Sequence, residues 1–209
     1  MIVIASPHMD DEVLGCASFL GAGDDPGPVT IIYTTRSHPE FGVQVRAEND
    51  ELARRTGADM RWPDGRGEEA INDLDRVGQA PLISAFEAIL NELRPTTVLV
   101  VAPSYNQDHR AVYDAMLTAC RPHDRNWFVP RVLAYEEPET HGTLRKPAPF
   151  RATYYRYLDV AAKLDLYHVY ASQVRAHRSD DHIRAMAAWR GMESGMAAAE
   201  AFEVLRWVE

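Results

Sequence analysis

Ile2-Val3-Ile4-Ala5-Ser6-Pro7-His8-Met9-Asp10-Asp11-Glu12-Val13-Leu14-Gly15-Cys16 opens the chain with an apolar, β-prone run that breaks into a polar cluster and then into a helix-compatible segment. That order predicts a strand, a turn and a helix, with the polar cluster at the strand's carboxyl end. Open α/β sheets bind their ligands at such ends. His8, Asp10, Asp11 and Glu12 place four potential nitrogen or oxygen ligands within five residues. So many costly polar groups together point to a metal or a charged ligand, and this cluster reads as half of a metal site.

Beyond it, Val29 to Thr34 reads as a second strand, separated from the first helix by the turn-rich Gly23-Asp24-Asp25-Pro26-Gly27-Pro28. Val43 to Thr56 carries Val45, Leu52 and Ala53 among charged residues and predicts an amphipathic helix that stops at Gly57. A short third strand falls around Met60-Arg61-Trp62, and Pro63 to Asp73 reads as a charged loop near the site rim. Leu82, Phe86, Ile89, Leu90 and Leu93 recur at helical spacing until Pro95 stops the helix before Thr97-Val98-Leu99-Val100-Val101. An uninterrupted aliphatic run of this kind belongs to a strand buried on both faces, which marks a parallel sheet.

The second polar cluster, Ala102-Pro103-Ser104-Tyr105-Asn106-Gln107-Asp108-His109-Arg110, follows that strand directly and leads into a helix over Ala111 to Cys120. Two such clusters, each at a strand end and each opening a helix, can converge across neighbouring strands. His8, Asp11 and His109 would then form a three-ligand site. Two imidazoles and a carboxylate, with a fourth position for water, describe a catalytic zinc.

Composition bounds the partners. The chain has 209 residues, 46% hydrophobic and 25% charged, which suits a single domain over 1–209 with a substantial core. Lys+Arg of 22 against Asp+Glu of 31 leaves a net charge of -9, the wrong sign for a nucleic-acid partner. A neutral or weakly charged small molecule fits better, and the sequence leaves room for a homo-oligomer. Cys16 and Cys120 are too isolated for a disulfide framework and read as buried thiols. The Met-Ile-Val-Ile opening lacks a basic n-region, and no apolar run approaches the roughly 18 residues of a membrane span. The expected location is the cytoplasm, without membrane contact.

The segment Ser6 to Glu12, with Gly15-Cys16, resembles the Pro-His-x-Asp-Asp-Glu signature of the PIG-L, or LmbE-like, zinc N-deacetylases. Asp108-His109-Arg110-Ala111-Val112 is similar to that family's second motif. Arg46 to Gly57, Lys163 with Tyr170-Ala171-Ser172-Gln173, Arg190-Gly191 and Ala199-Glu200-Ala201-Phe202 extend the likeness over nearly the whole chain. The resemblance implies a single Rossmann-like α/β domain, a doubly wound and mostly parallel sheet flanked by helices. It also implies removal of an N-acyl group, most often acetyl from a glucosamine-type sugar. Residue by residue, it carries zinc ligation onto His8, Asp11 and His109 and the general-base role onto Asp10. Asp108 would orient an imidazole by accepting its other N–H, Glu12 would cap amides or support a ligand, and Arg46 would contact a substrate hydroxyl.

One position departs from the family pattern. Where its second motif usually has a histidine, this chain has Asn106, which can donate a hydrogen bond to an oxyanion but cannot deliver a proton. Either Asp10 returns the proton it takes from water, or a loop histidine such as His38 or His141 supplies one. Asn106 also reads as a turn residue. The same departure keeps open a non-catalytic module that binds zinc or a small ligand, and a two-metal phosphoesterase is disfavoured for want of bridging carboxylates.

Plainer readings stand beside these. His8 alone could be a satisfied loop histidine, Asp11 a helix cap and Asp10 a solvated acid. His168, His177 and His182 read as surface or structural groups, and Tyr154, Tyr155 and Tyr157 as a strand engaged in core and edge packing. Arg175, Arg178, Arg184 and Arg190 read as a solvated helix face. The loops Arg36 to Gly42, Pro63 to Asp73 and Glu136 to Pro149 are expected to select the substrate.

Overall fold

The structure, a computed structural model, describes residues 1–35, 42–63, 74, 77–123, 127–141, 149–174 and 178–209. The opening run forms β1 (Ile2–Ser6), buried throughout. It pairs in parallel on one side with β2 (Val29–Tyr33), which continues to β3 (Asp59–Arg61), and on the other with β4 (Thr97–Val101), which continues to β5 (Arg131–Tyr135). β7 (Ala199–Trp207) runs antiparallel to β5, and β6 (Tyr154–Tyr157) closes that edge, giving the order β3-β2-β1-β4-β5-β7-β6. The expected doubly wound, mostly parallel α/β sheet is present. The tyrosine run lies at its edge, with Tyr157 half exposed.

Both faces of the sheet are covered, which is why Ile2 to Ala5 of β1 and Val98 to Val101 of β4 are apolar on both alternations. Ile4, Leu99 and Leu133 pack under α1 (Asp11–Cys16), α2 (Gly42–Thr56), α5 (Val160–Tyr167) and α6 (Asp180–Ser194). Val3, Val98, Val100 and Val132 pack under α3 (Gln79–Leu93) and α4 (Gln107–Ala119). Gly15 is required by this packing: a Cβ there would run into the Tyr135 ring and the Glu136 carbonyl. Cys16 and Cys120 are free and buried. No helix among the described residues is long and apolar enough to cross a membrane.

Two readings change. Helix α4 begins at Gln107, earlier than Ala111, because the Asn106 side chain caps it by accepting from the Asp108 amide at 2.9 Å. Arg178 and Arg190 are buried, each ion-paired with a carboxylate, where a solvated face was expected. The loops assigned to substrate selection fall largely outside the described residues, as do His38, Arg175 and His177.

Candidate metal centre

The sheet order reverses between β1 and β4, and the two polar clusters leave the carboxyl ends of these adjacent strands. At such a switch point neighbouring connections diverge to opposite faces and leave a crevice. After β1 the chain turns sharply at Asp10, whose φ of 142° is rare for a residue with a side chain. A conformation of this kind costs on the order of 1–3 kcal/mol and persists where surrounding bonds impose it. The Val13 and Leu14 amides donate to the Asp10 carbonyl, and the Asp10 amide donates to Glu12 Oε2.

The turn delivers Asp11 under His8. His8 Nδ1 and Asp11 Oδ2 lie 3.1 Å apart, His109 Nε2 and His8 Nδ1 3.3 Å, and His109 Nε2 and Asp11 Oδ2 3.4 Å. Three donor atoms thus form a nearly equilateral triangle. Ligands about 2.0–2.1 Å from a tetrahedral zinc are separated by about 3.3 Å, so the triangle fits one face of that coordination. Asp11 Oδ1 is buried without a hydrogen-bond partner, a further mark of a carboxylate built for a cation. Among the described residues these three form the group able to hold a metal ion.

Each imidazole is held from behind. His8 Nε2 lies 3.1 Å from Asp108 Oδ2, whose other oxygen accepts from the Leu74 amide. His109 Nδ1 lies 3.2 Å from Ser104 Oγ and 3.4 Å from Glu137 Oε1. With the outer nitrogens protonated toward Asp108 and Ser104, and the Glu137 charge beside His109, the inner His8 Nδ1 and His109 Nε2 present lone pairs to the centre. Asp108 lies behind the His8 imidazole, on the side away from the triangle.

The electrostatics call for positive charge. Burial alone would lower His8, but its hydrogen bonds to Asp108 and Asp11 lift it to about 10. His109 is likewise raised: burial opposes its charge, and the Asp11 carboxylate outweighs burial. Asp11 is driven well below the usual carboxylate range, because the two imidazoles overcome its burial. Without a metal, protons on the imidazoles balance the acids, and a bound divalent ion would displace them. Asp10 is pushed well up by burial and by Asp11, against the pull of Arg178 and His8.

The other candidates spread out around this centre. Glu12 accepts from the hydroxyls of Tyr33 at 3.0 Å and Tyr170 at 2.8 Å, and so braces the turn from the core side. Asn106 caps α4, while Arg46 is exposed on α2. His141 is engaged with Glu136 and not with the triangle, and Glu136 is in turn bidentate to Arg190. Sequence reasoning missed Arg178, Glu137, Ser104 and Tyr33. Ser104 lies inside the second polar cluster and could have been found there; Arg178, 168 residues from its partner Asp10, carried no local signal.

A family model described as GlcNAc-PI de-N-acetylase, PIG-L, matches residues 3–120, more than half of the chain and both clusters. The chain belongs to the PIG-L family. A relative from Escherichia coli K12, named uncharacterized deacetylase YaiS, is 28% identical over 152 residues, covering 66% of this chain and 75% of its own. Two solved structures share the fold. The conserved protein TT1542 from Thermus thermophilus superposes with a TM-score of 0.75 at 21% identity, over 100% of this chain and 95% of its own. The N,N'-diacetylchitobiose deacetylase from Pyrococcus horikoshii superposes at 0.72 with 17% identity, over 98% and 83%. PIG-L membership makes this chain a deacetylase enzyme.

Proposed function

We propose that this PIG-L protein is a zinc-dependent amidohydrolase that removes an N-acyl group, acetyl above all, from an amino sugar or another glucosamine-containing small molecule. The observation that carries the reading is the triangle of His8 Nδ1, Asp11 Oδ2 and His109 Nε2 with the Asp10 carboxylate on the adjoining residue. The names of the family model and of the chitobiose deacetylase support an N-acetylated sugar as the substrate class.

A zinc ion on these ligands would lower the pKa of its water from about 15.7 toward about 7 and polarise the amide carbonyl. The chain's own groups supply the remainder. Asp108 and Ser104 keep the two imidazoles in the ligating tautomer, with the Glu137 charge beside His109. Asp10 accepts the proton of the attacking water. With Asn106 in place of the family's histidine, Asp10 then returns that proton to the departing nitrogen, so that amide and water leave as carboxylic acid and amine. The Asn106 side-chain NH2, opposite the oxygen used in the cap, donates toward the developing oxyanion. Arg46 contacts a hydroxyl of the sugar.

The test is acetate release from a panel of N-acetylglucosamine and its glycosides, run after chelation and after re-addition of zinc. Activity should vanish on chelation, return with zinc, and be lost in His109→Ala together with bound metal. Asp10→Asn should keep its metal and lose turnover by about 10²–10⁴-fold. Stoichiometric metal with silence across the panel would favour the non-catalytic binding module instead.

A further inference from the structure

Arg178 lies just before α6, and its Nη1 donates to Oδ2 of Asp10. The side chains are 8% and 1% exposed, so the pair is closed off from solvent. The backbone of Asp10 is already fixed by the amides of Val13 and Leu14 and by Glu12 Oε2. Its side chain is not fixed by any of these. Among the described residues Arg178 is the one hydrogen-bond donor to the Asp10 carboxylate, and it engages a single oxygen.

We propose that Arg178 is a positioning residue for the deacetylation: by holding Oδ2 it sets the plane of the Asp10 carboxylate and turns Oδ1 toward the His8, Asp11 and His109 triangle. This rests on the reading of Asp10 as the proton acceptor. A base must lie within hydrogen-bond reach of the proton it takes, and an aspartate free to rotate about its side-chain bonds would spend part of its time out of reach. Three acidic neighbours, Asp11, Glu12 and Asp108, surround the same turn, and none can donate a hydrogen bond as a carboxylate. A buried guanidinium reaching in from the residue before the α6 cap supplies the missing donor in a planar, directional form that an ammonium does not reproduce.

Arg178→Lys and Arg178→Ala test this on the zinc-loaded protein with N-acetylglucosamine glycosides. In both variants kcat should fall by about 10–100-fold, with KM and metal stoichiometry unchanged. Guanidinium ion at sub-denaturing concentration should restore part of the loss in Arg178→Ala. A merely structural arginine would instead move metal content and KM together with kcat and would not respond to guanidinium. If Arg178→Ala fails to fold, Arg178→Lys decides through the split between kcat and KM. A crystal structure of Arg178→Lys gives a readout free of turnover, in which the Asp10 carboxylate should be rotated. Wild-type kcat in Arg178→Lys, or an unmoved carboxylate, overturns the inference alone. A wild-type protein silent on every glycoside overturns the amidohydrolase reading and the inference with it.

Discussion

The Asn106 amide accepts the Asp108 N–H at 2.9 Å, which starts α4 two residues ahead of His109 and so helps place His109 in the triangle. Capping and oxyanion donation use opposite ends of one amide, and two substitutions separate them. Asn106→Asp keeps the capping oxygen and removes the NH2, so it should unfold near the wild-type denaturant midpoint while kcat falls by about 10²-fold. Asn106→Ala loses the cap as well and should be destabilised by about 1 kcal/mol. Turnover by Asn106→Asp at the wild-type rate would leave Asn106 a cap and nothing more. At this scale the sequence was most legible where chemistry is local. His8, Asp11 and Asp108 lie in the short polar clusters that follow strand ends, where the folded chain brings them together. Arg178 and Glu137 were not legible, since each meets its partner only through tertiary packing, and an arginine preceding a helix otherwise reads as solvated.

Helix α1 has six residues, too short to be stable alone, and its position depends on what holds its ends. Lys163 on α5 donates to the Leu14 carbonyl and to Glu200 Oε1 at 2.7 Å. Glu200 on β7 in turn accepts from the Ala17 and Ser18 amides at 3.0 and 2.8 Å. One buried ion pair thus ties the helix carrying Asp11 to both α5 and the antiparallel edge of the sheet. Lys163→Met leaves the Glu200 carboxylate buried without its cation and should cost about 3–5 kcal/mol in urea unfolding. An unchanged midpoint would mean that the two backbone amides suffice. Among elements, β1 and β4 were legible as continuous apolar runs and α3 from its 3.6-residue period. The part of the sheet built by β5 and β7 was not read as strands, because Arg131, Glu200, Glu203 and Arg206 interrupt the apolar pattern there. Those charges are accommodated by specific partners, Lys163 for Glu200 and the Cys120 and Val129 carbonyls for Arg206, which only the folded chain displays.

For the whole molecule, the two buried arginines at either end of α6 join it to two strand ends, Arg178 to the turn after β1 and Arg190 to Glu136 after β5. The helix packs against β7 and α5, and its attachment should depend on pH through Glu136. Burial raises the Glu136 carboxyl, but the hydrogen bonds from His141 and Arg190 outweigh it and hold the group below its ordinary value of 4.5. A folded-state pKa below the unfolded one means that the unfolded chain binds the proton first as pH falls. The stabilisation is therefore complete above about pH 4.5 and is lost as pH drops through the lower, folded-state value. Asp10 and Glu12, both raised, contribute with the opposite sign, so the total curve does not isolate the pair. The difference between wild type and Glu136→Gln does. It should be about 3 kcal/mol near neutrality, where the variant leaves Arg190 without its main counter-charge. It should shrink as pH falls below about 4.5 and through the lower, folded-state value, as the wild-type carboxyl takes up its proton and comes to resemble the amide. Urea midpoints of both proteins across that range measure the gap, and a gap of constant size at every pH would show that the Glu136 charge does not anchor α6.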